Sequence, residues 1–307
     1  MYKTKEKNKV TLALWIDMIV KHIDTITTNH LPIVISIWWW SASGKTSQVS
    51  NKIIKYYQNH NISVLHLTMD NYNIGQKEMK NKWMDLTNFD LPEVVDIDLL
   101  STHIHALKHC ETIQMPDYSF VNNGPTWHTI TIKSANIIVL DGLFVNIKQR
   151  KLPVDFKIFV DCSMPGMIIR RLVRDTVKWW RKWQSPIDCL KQLVNTVLPS
   201  HIKYILPSRH QSDIVIENDF DPIKEPILAP INDQSEIKFE YIIEKNIYPI
   251  YSSYARILLL HQFNNNTKKY FFVYDDDWNH NDNNYSIRFE IDKDLYNKIK
   301  KMLQSDI

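Results

Sequence analysis

Gly44, Lys45 and Thr46 are the residues of this 307-residue chain best placed to do chemistry. They close the stretch Trp39-Trp40-Ser41-Ala42-Ser43-Gly44-Lys45-Thr46. Gly-Lys-Thr ahead of a helix is the ending of a phosphate-binding loop, in which successive backbone N–H groups surround a phosphate at a helix N-terminus. Lys45 would reach the β- and γ-phosphates, and Thr46 would set its hydroxyl on Mg²⁺. A chance triplet is the competing explanation, and the flanks argue against it. Ile33 to Ile37 is short, apolar and β-branched, as a buried parallel strand should be. Val49, Ile53, Ile54 and Tyr57 recur at helical spacing between Gln48 and Gln58.

The loop has one misfit. The pattern G-x-x-x-x-G-K-[ST] asks for glycine at 39, where the chain turns sharply and its backbone approaches phosphate closely. Trp39 stands there instead. Glycine is rare throughout, 5 residues against 10 tryptophans, where average usage would give about 21 glycines. Several tryptophans occupy places that suit glycine: Trp278 at a polar hairpin tip, Trp127 in an expected loop, and Trp179, Trp180 and Trp183 in the basic stretch Lys178 to Gln184. Two explanations stand side by side. Either many of these positions derive from UGA codons that the source reads as glycine, or Trp38 to Trp40 are genuine and the loop cannot cradle phosphate.

Further candidates lie at expected strand ends, where open parallel sheets bind their ligands. Asp70 follows the apolar run Ser63 to Met69 and could take a proton from an attacking hydroxyl, or merely cap a turn. Asp141 ends Ala135 to Leu140 and could hold Mg²⁺ directly or through water, or begin an ordinary Asp-Gly turn. Arg170, Arg171, Arg174, Lys178, Arg181 and Lys182 form the densest basic cluster: a solvated face, or arginines that neutralise a phosphoryl group in transfer. His103, His105 and His109 could suggest zinc, since 105 and 109 share a helix face, but nothing nearby completes a ligand set at zinc spacing, and a wet helix face explains the row better. Asp275 to Asp277 lacks the bidentate Glu of a calcium loop and reads as a hairpin turn.

These residues need a scaffold, and the pattern supplies one. Strands are expected at 33–37, 63–69, 135–140, 156–161 and 213–217. Helices are expected at 10–28, 48–58, 91–109, 164–178 and 186–198, the last stopped by Pro199. Strands alternating with helices imply an α/β fold with a parallel, helix-covered sheet. Pro222, Pro226 and Pro230 mark a linker. Beyond it, strands at 237–244, 255–263, 269–274 and 285–291 and a helix at 293–303 make a small α+β module. The expected organisation is therefore an N-terminal helical extension (1–30), a P-loop α/β domain (31–217), a linker (218–234) and the C-terminal α+β module (235–307).

Composition narrows the class. With 44% apolar and 23% charged residues the chain is globular, and a net charge of +3 gives no case for nucleic acid or a membrane surface. Three scattered cysteines suit a reducing cytoplasm. The lysines ahead of Val10 to Val20 look like a signal peptide, but Asp17 interrupts the apolar run and no cleavage site follows.

In sum of motifs, residues 31–217 resemble the uridine kinase family, in the phosphoribulokinase/uridine kinase group of P-loop kinases. Ser41 to Thr46 matches the family's loop ending. Asp70-Asn71-Tyr72 resembles its strand-end aspartate motif, and Asn88-Phe89-Asp90-Leu91-Pro92 its N-F-D-H-P segment. Tyr118-Ser119-Phe120 is similar to its Y-D-F, and Asp141-Gly142 stands where Glu-Gly is usual. Arg170-Arg171-Leu172-Val173-Arg174-Asp175 matches R-R-x-x-R-D, and Gln192, Val197 and Pro199 match Q-x-x-x-x-V-x-P.

The resemblance implies ATP-dependent phosphorylation of the 5′-hydroxyl of a pyrimidine nucleoside, uridine or cytidine. Asp70, Lys45, Arg174 and Arg181 would be catalytic. Trp39 to Thr46 would bind ATP, and Thr46 and Asp141 would handle Mg²⁺. Asp70, Tyr72, Asp90, Tyr118, Phe120, Arg171 and Gln192 would contact the substrate. Two departures matter. The first lid arginine has no match, since Trp179 occupies its place. The base-reading histidine is missing too: Asn123 stands there, and His128 lies farther on. Another small hydroxyl acceptor is thus the alternative substrate, and a non-catalytic protein the alternative if the loop tryptophans are genuine. The expected partners are nucleoside and ATP, with no nucleic acid and no membrane; a homo-oligomer stays open.

Overall fold

The computed structural model describes residues 9–11, 15–27, 32–39, 49–86, 88–147, 152–162, 167–168, 171, 175, 185–217, 237–248, 253–264, 267–276 and 285–304. The chain divides into two compact parts, Met1–Cys162 with Thr196–Asn218, and Ser163–Asn195 with Asp219–Ile307.

The first part carries strands β1 (Lys9–Thr11), β2 (Ile33–Trp39), β3 (Val64–Thr68), β4 (Ile113–Ser119), β5 (Gly124–Ile132), β6 (Ile137–Asp141), β7 (Phe156–Asp161) and β8 (Ile214–Glu217). Six of them form one sheet in the order β1-β8-β7-β2-β6-β3, every neighbouring pair parallel. Ile35, Ile37, Val139, Leu140, Ile158 and Phe159 are completely buried on the three central strands. Continuous apolar runs of this kind are what a sheet covered on both faces requires.

Helices α1 (Trp15–Thr27), α2 (Asn51–Asn59), α3 (Gly75–Asn81) and α4 (Ile97–Lys108) accompany the strands. Helix α1 buries Ile19, Val20 and Ile23, one stripe at helical spacing. Its His22 ring lies 4.7 Å from Phe156 of β7. The expected single element over 10–28 is therefore two: Lys9–Thr11 extends along β8 instead, Val10 opposite Ile216. A β-branched pair, Val10-Thr11, suits the otherwise open edge of β8.

Three other expectations need correction. The hairpin β4–β5 was not legible as strands, and Trp127 belongs to β5, not to a loop. Residues 91–109 are not one helix: a 3₁₀ turn at Pro92–Val94 comes first, then α4 starts where Asp96 Oδ1 accepts the Leu99 N–H at 3.0 Å. Pro199 does not stop the helix that begins at Pro186. Helical structure runs on to Gln211, with wider π turns at Leu193–Val197 and His201–Ile205. A π turn shifts the backbone pairing just where proline lacks its N–H, so the chain passes Pro199 without breaking.

In the second part, β9 (Ile237–Tyr248), β10 (Ser253–Asn264), β11 (Thr267–Asp276) and β12 (Tyr285–Ile291) form an antiparallel sheet in the order β12-β11-β10-β9. Asp275 and Asp276 are strand residues, opposite Ser286 and Tyr285. The helix Lys293–Gln304 buries Leu295, Tyr296 and Ile299, and Asp292 caps it by accepting the Leu295 N–H at 2.8 Å.

Candidate active site

Strand register brings the candidate carboxylates to one edge. Asp141, the last residue of β6, stands beside Ile37 of β2 and Thr68 of β3. From β2 the chain goes to β3, beyond β6 on one side, while β7, the neighbour of β2 on the other side, leads to β8. The carboxyl edge at such a divergence is where open α/β sheets hold ligands.

Asp141 is 1% exposed, so its charge needs partners. His66 Nε2 donates to its Oδ2 at 2.9 Å, and Ser50 Oγ, at the start of α2, lies 3.5 Å from the same oxygen. His66 faces Val139 in register, which makes Asp141 its diagonal neighbour on the same sheet face. Sequence reasoning passed over this histidine. The available signal was a lone polar ring in an apolar strand, two residues before the strand's end.

Asp70 lies in a 3₁₀ turn, Met69–Tyr72, directly after β3. Its own N–H points to Thr68 Oγ1 at 3.4 Å, and its carbonyl accepts from Asn73 N at 3.2 Å. Neighbours clamp the turn. Asn71 Nδ2 donates to the Pro116 carbonyl of β4 at 3.0 Å, and Asp96 N donates to the Tyr72 carbonyl at 2.8 Å. Gly142 closes the site from below: a Cβ there would lie 2.4 Å from Met69 Cβ, so only glycine lets the end of β6 pass this close to the Asp70 turn.

Tyr118 stands near Asp70. Burial first, and the Asp70 charge second, push its phenol up to about 12. It therefore stays a protonated donor at neutral pH. A register shift between Pro116 and Tyr118 re-aims it, as bulges do. Phe120, half-exposed, meets the Tyr118 ring edge-on with centroids 5.2 Å apart.

Tyr72 is buried, and its hydroxyl pairs with His103 Nδ1 at 3.0 Å. Burial raises the phenol's pKa, and burial lowers that of His103, with Asp96 opposing. His103 thus supports Tyr72, while His109 Nδ1 bonds the His105 carbonyl. Asp90 is buried, its N–H bonded to Asn88 Oδ1 at 3.0 Å.

In the second part, Arg171 donates to Gln192 Oε1 at 3.1 Å and pairs with Asp175 at 3.3 Å, both charges buried. Trp40, Ser41, Ala42, Ser43, Gly44, Lys45, Thr46, Arg174 and Arg181 lie outside the described residues, as does the side chain of Trp39.

Among the described residues, no three His, Cys, Asp or Glu side chains gather into a metal-ligand group. Mg²⁺ takes one or two carboxylates beside waters and substrate phosphates, and the buried Asp141 carboxylate is a donor of that kind. Among the described residues no helix is long and apolar enough to cross a membrane.

Residues 34–220 match the model of the phosphoribulokinase/uridine kinase family. The chain belongs to that family. It is 36% identical to a uridine kinase of Bacillus pumilus over 60% of this chain and 86% of the relative. Identity is 35% to one of Anoxybacillus flavithermus, over 60% and 85%. Among solved structures, the YGR205w protein aligns with a TM-score of 0.52 at 17% identity, over 67% of this chain and 94% of that one. A D-glycerate 3-kinase from Cryptococcus neoformans aligns at 0.50 and 10%, over 62% and 88%. These two establish the fold, the P-loop kinase sheet expected above. As a phosphoribulokinase/uridine kinase family member, the chain is a phosphotransferase acting on a hydroxyl acceptor.

Proposed function

We propose that the protein transfers the γ-phosphoryl group of ATP to the 5′-hydroxyl of a pyrimidine nucleoside, uridine foremost. The observation that carries this reading is the Asp70 turn, clamped at the carboxyl edge through Asn71 and Tyr72, with Tyr118 near the Asp70 charge and buried Asp141 ending the neighbouring strand. Asp70 orients the acceptor hydroxyl and takes its proton. Tyr118 and Phe120 offer flat apolar surface to a base, beside Tyr72 and Asp90; the family resemblance gives Arg171 and Gln192 substrate contacts as well. Lys45 and the loop amides of residues 39–46 hold the phosphates, and Arg174 and Arg181 offset the charge of the phosphoryl group in flight. Thr46 and Asp141 would hold Mg²⁺, which neutralises phosphate charge when bound. Positioning and electrostatics supply most of the rate in such transfers.

The test is UMP formation from uridine, ATP and Mg²⁺, compared with a panel of other small alcohols. Uridine or cytidine turning over fastest supports the reading. Another acceptor winning leaves the phosphotransferase and changes its substrate. One observation favours keeping that panel wide. Asn123, where a base-reading histidine was expected, sits in a turn at φ 48° with its carbonyl accepting from Gln76 N at 2.9 Å.

A further inference from the structure

Residue 83 closes helix α3. Its N–H donates to the Lys80 carbonyl at 3.1 Å, and Met84 N–H donates to the Met79 carbonyl at 3.0 Å. This paired closure places the residue just past the helix in the left-handed region, and glycine is the residue that goes there freely. Trp83 has φ 56°. Its Cβ is crowded in that conformation. Nothing offsets the strain, because Trp83 is 96% exposed and buries almost no apolar surface.

The other helix closures show what the position tolerates. Asn61, at φ 58°, closes α2, and asparagine is the usual substitute for glycine. Cys110, at φ 62°, closes α4 with a small side chain. Trp38 shows where a tryptophan is useful: it is completely buried, donates Nε1–H to Ser208 Oγ at 2.9 Å and meets Phe159 edge-on. A large aromatic both strained and in water matches neither case.

At position 39 the mismatch is with the loop pattern. That residue ends β2, where the phosphate loop must start with glycine. For that position the inference rests on the phosphate-loop reading; for position 83 it does not. Five glycines against ten tryptophans is the composition that a systematic exchange would leave.

We infer that positions 83 and 39 are glycine in the polypeptide its source makes, both encoded by UGA. UGA is read as tryptophan in one reassigned genetic code and as glycine in another, so the same gene spells either residue according to the code applied. The phosphate loop is then whole, and α3 ends on an ordinary glycine cap.

The experiment is peptide mass spectrometry of the protein isolated from its native source. Fragment masses of the tryptic peptide beginning after Lys82 and of the one ending at Lys45 should read glycine at 83 and at 39. The tryptophan mass at either position overturns the inference. A second measurement needs no native material: Trp83→Gly in recombinant protein should raise the thermal midpoint, and an unchanged or lowered midpoint removes the physical argument for position 83. The same native preparation, given ATP and uridine, judges the activity separately. Glycine masses without UMP formation leave the inference standing and sink the nucleoside reading.

Discussion

His66 holds Asp141 by one oxygen: Nε2 donates to Oδ2 across 2.9 Å, from a ring about one-third exposed to a carboxylate 1% exposed. The imidazole therefore fixes the orientation of the carboxylate proposed to face Mg²⁺, in the way outer partners orient metal ligands. His66→Ala should raise the Mg²⁺ concentration for half-maximal turnover about 10- to 100-fold. His66→Gln, which can offer an amide N–H to the same oxygen, should recover part of that. Superimposable Mg²⁺ titrations for wild type and His66→Ala would sink the assignment.

Asp70 distinguishes a base from a cap by what its loss leaves behind. The turn is held mostly by backbone and Asn71 contacts, so Asp70→Asn should leave the thermal midpoint nearly unchanged. Turnover should drop by about 10²- to 10⁴-fold, the usual worth of a positioned proton acceptor. A stability loss with rates intact would make Asp70 a structural residue. Uridine consumption under saturating ATP, read beside a melting curve, separates the two.

Much of this was written in the sequence as periodicity. The apolar runs at 33–37, 63–69 and 135–140 read as buried parallel strands, and Asp70 and Asp141 follow from where the last two stop. What stayed hidden lacked a local pattern. The hairpin β4–β5 is half-exposed and carries Pro116 and Pro125 within its strands, which masks strand propensity. His66 is legible only once β3 and β6 are known to be neighbours, because a diagonal contact is a property of register. Pro199 misled because a π turn, set by tertiary packing, lets the helix through.

Acid should unfold the protein through its buried imidazoles. Burial pushes His201 down to about 3 and lowers His103 as well. Each binds its proton more readily in the unfolded chain, whose histidines titrate near 6.5. Stability is thus full above about 6.5 and falls as pH drops through the window from there to about 3. His201 alone accounts for at most about 4–5 kcal/mol across that window. Urea midpoints between pH 4 and 8 should fall on the acid side, and His201→Leu should flatten that limb. A slope unchanged by the substitution would place the acid sensitivity elsewhere.

Gly142→Ala tests how the two carboxylate turns are locked together. The added methyl would meet Met69 Cβ at 2.4 Å, far inside contact distance, with Met69 Sδ at 2.9 Å. Overpacking of this kind costs about 1–3 kcal/mol. Because the nearest atom is Met69 Cβ, shortening that side chain to alanine cannot relieve the clash; Met69→Ala should leave Gly142→Ala as destabilising as before. The displaced backbone carries Asp70 one residue away, so turnover should fall further than stability alone accounts for. A Gly142→Ala protein with wild-type melting temperature and rate would mean the β6 end and the Asp70 turn move independently, which their shared packing forbids.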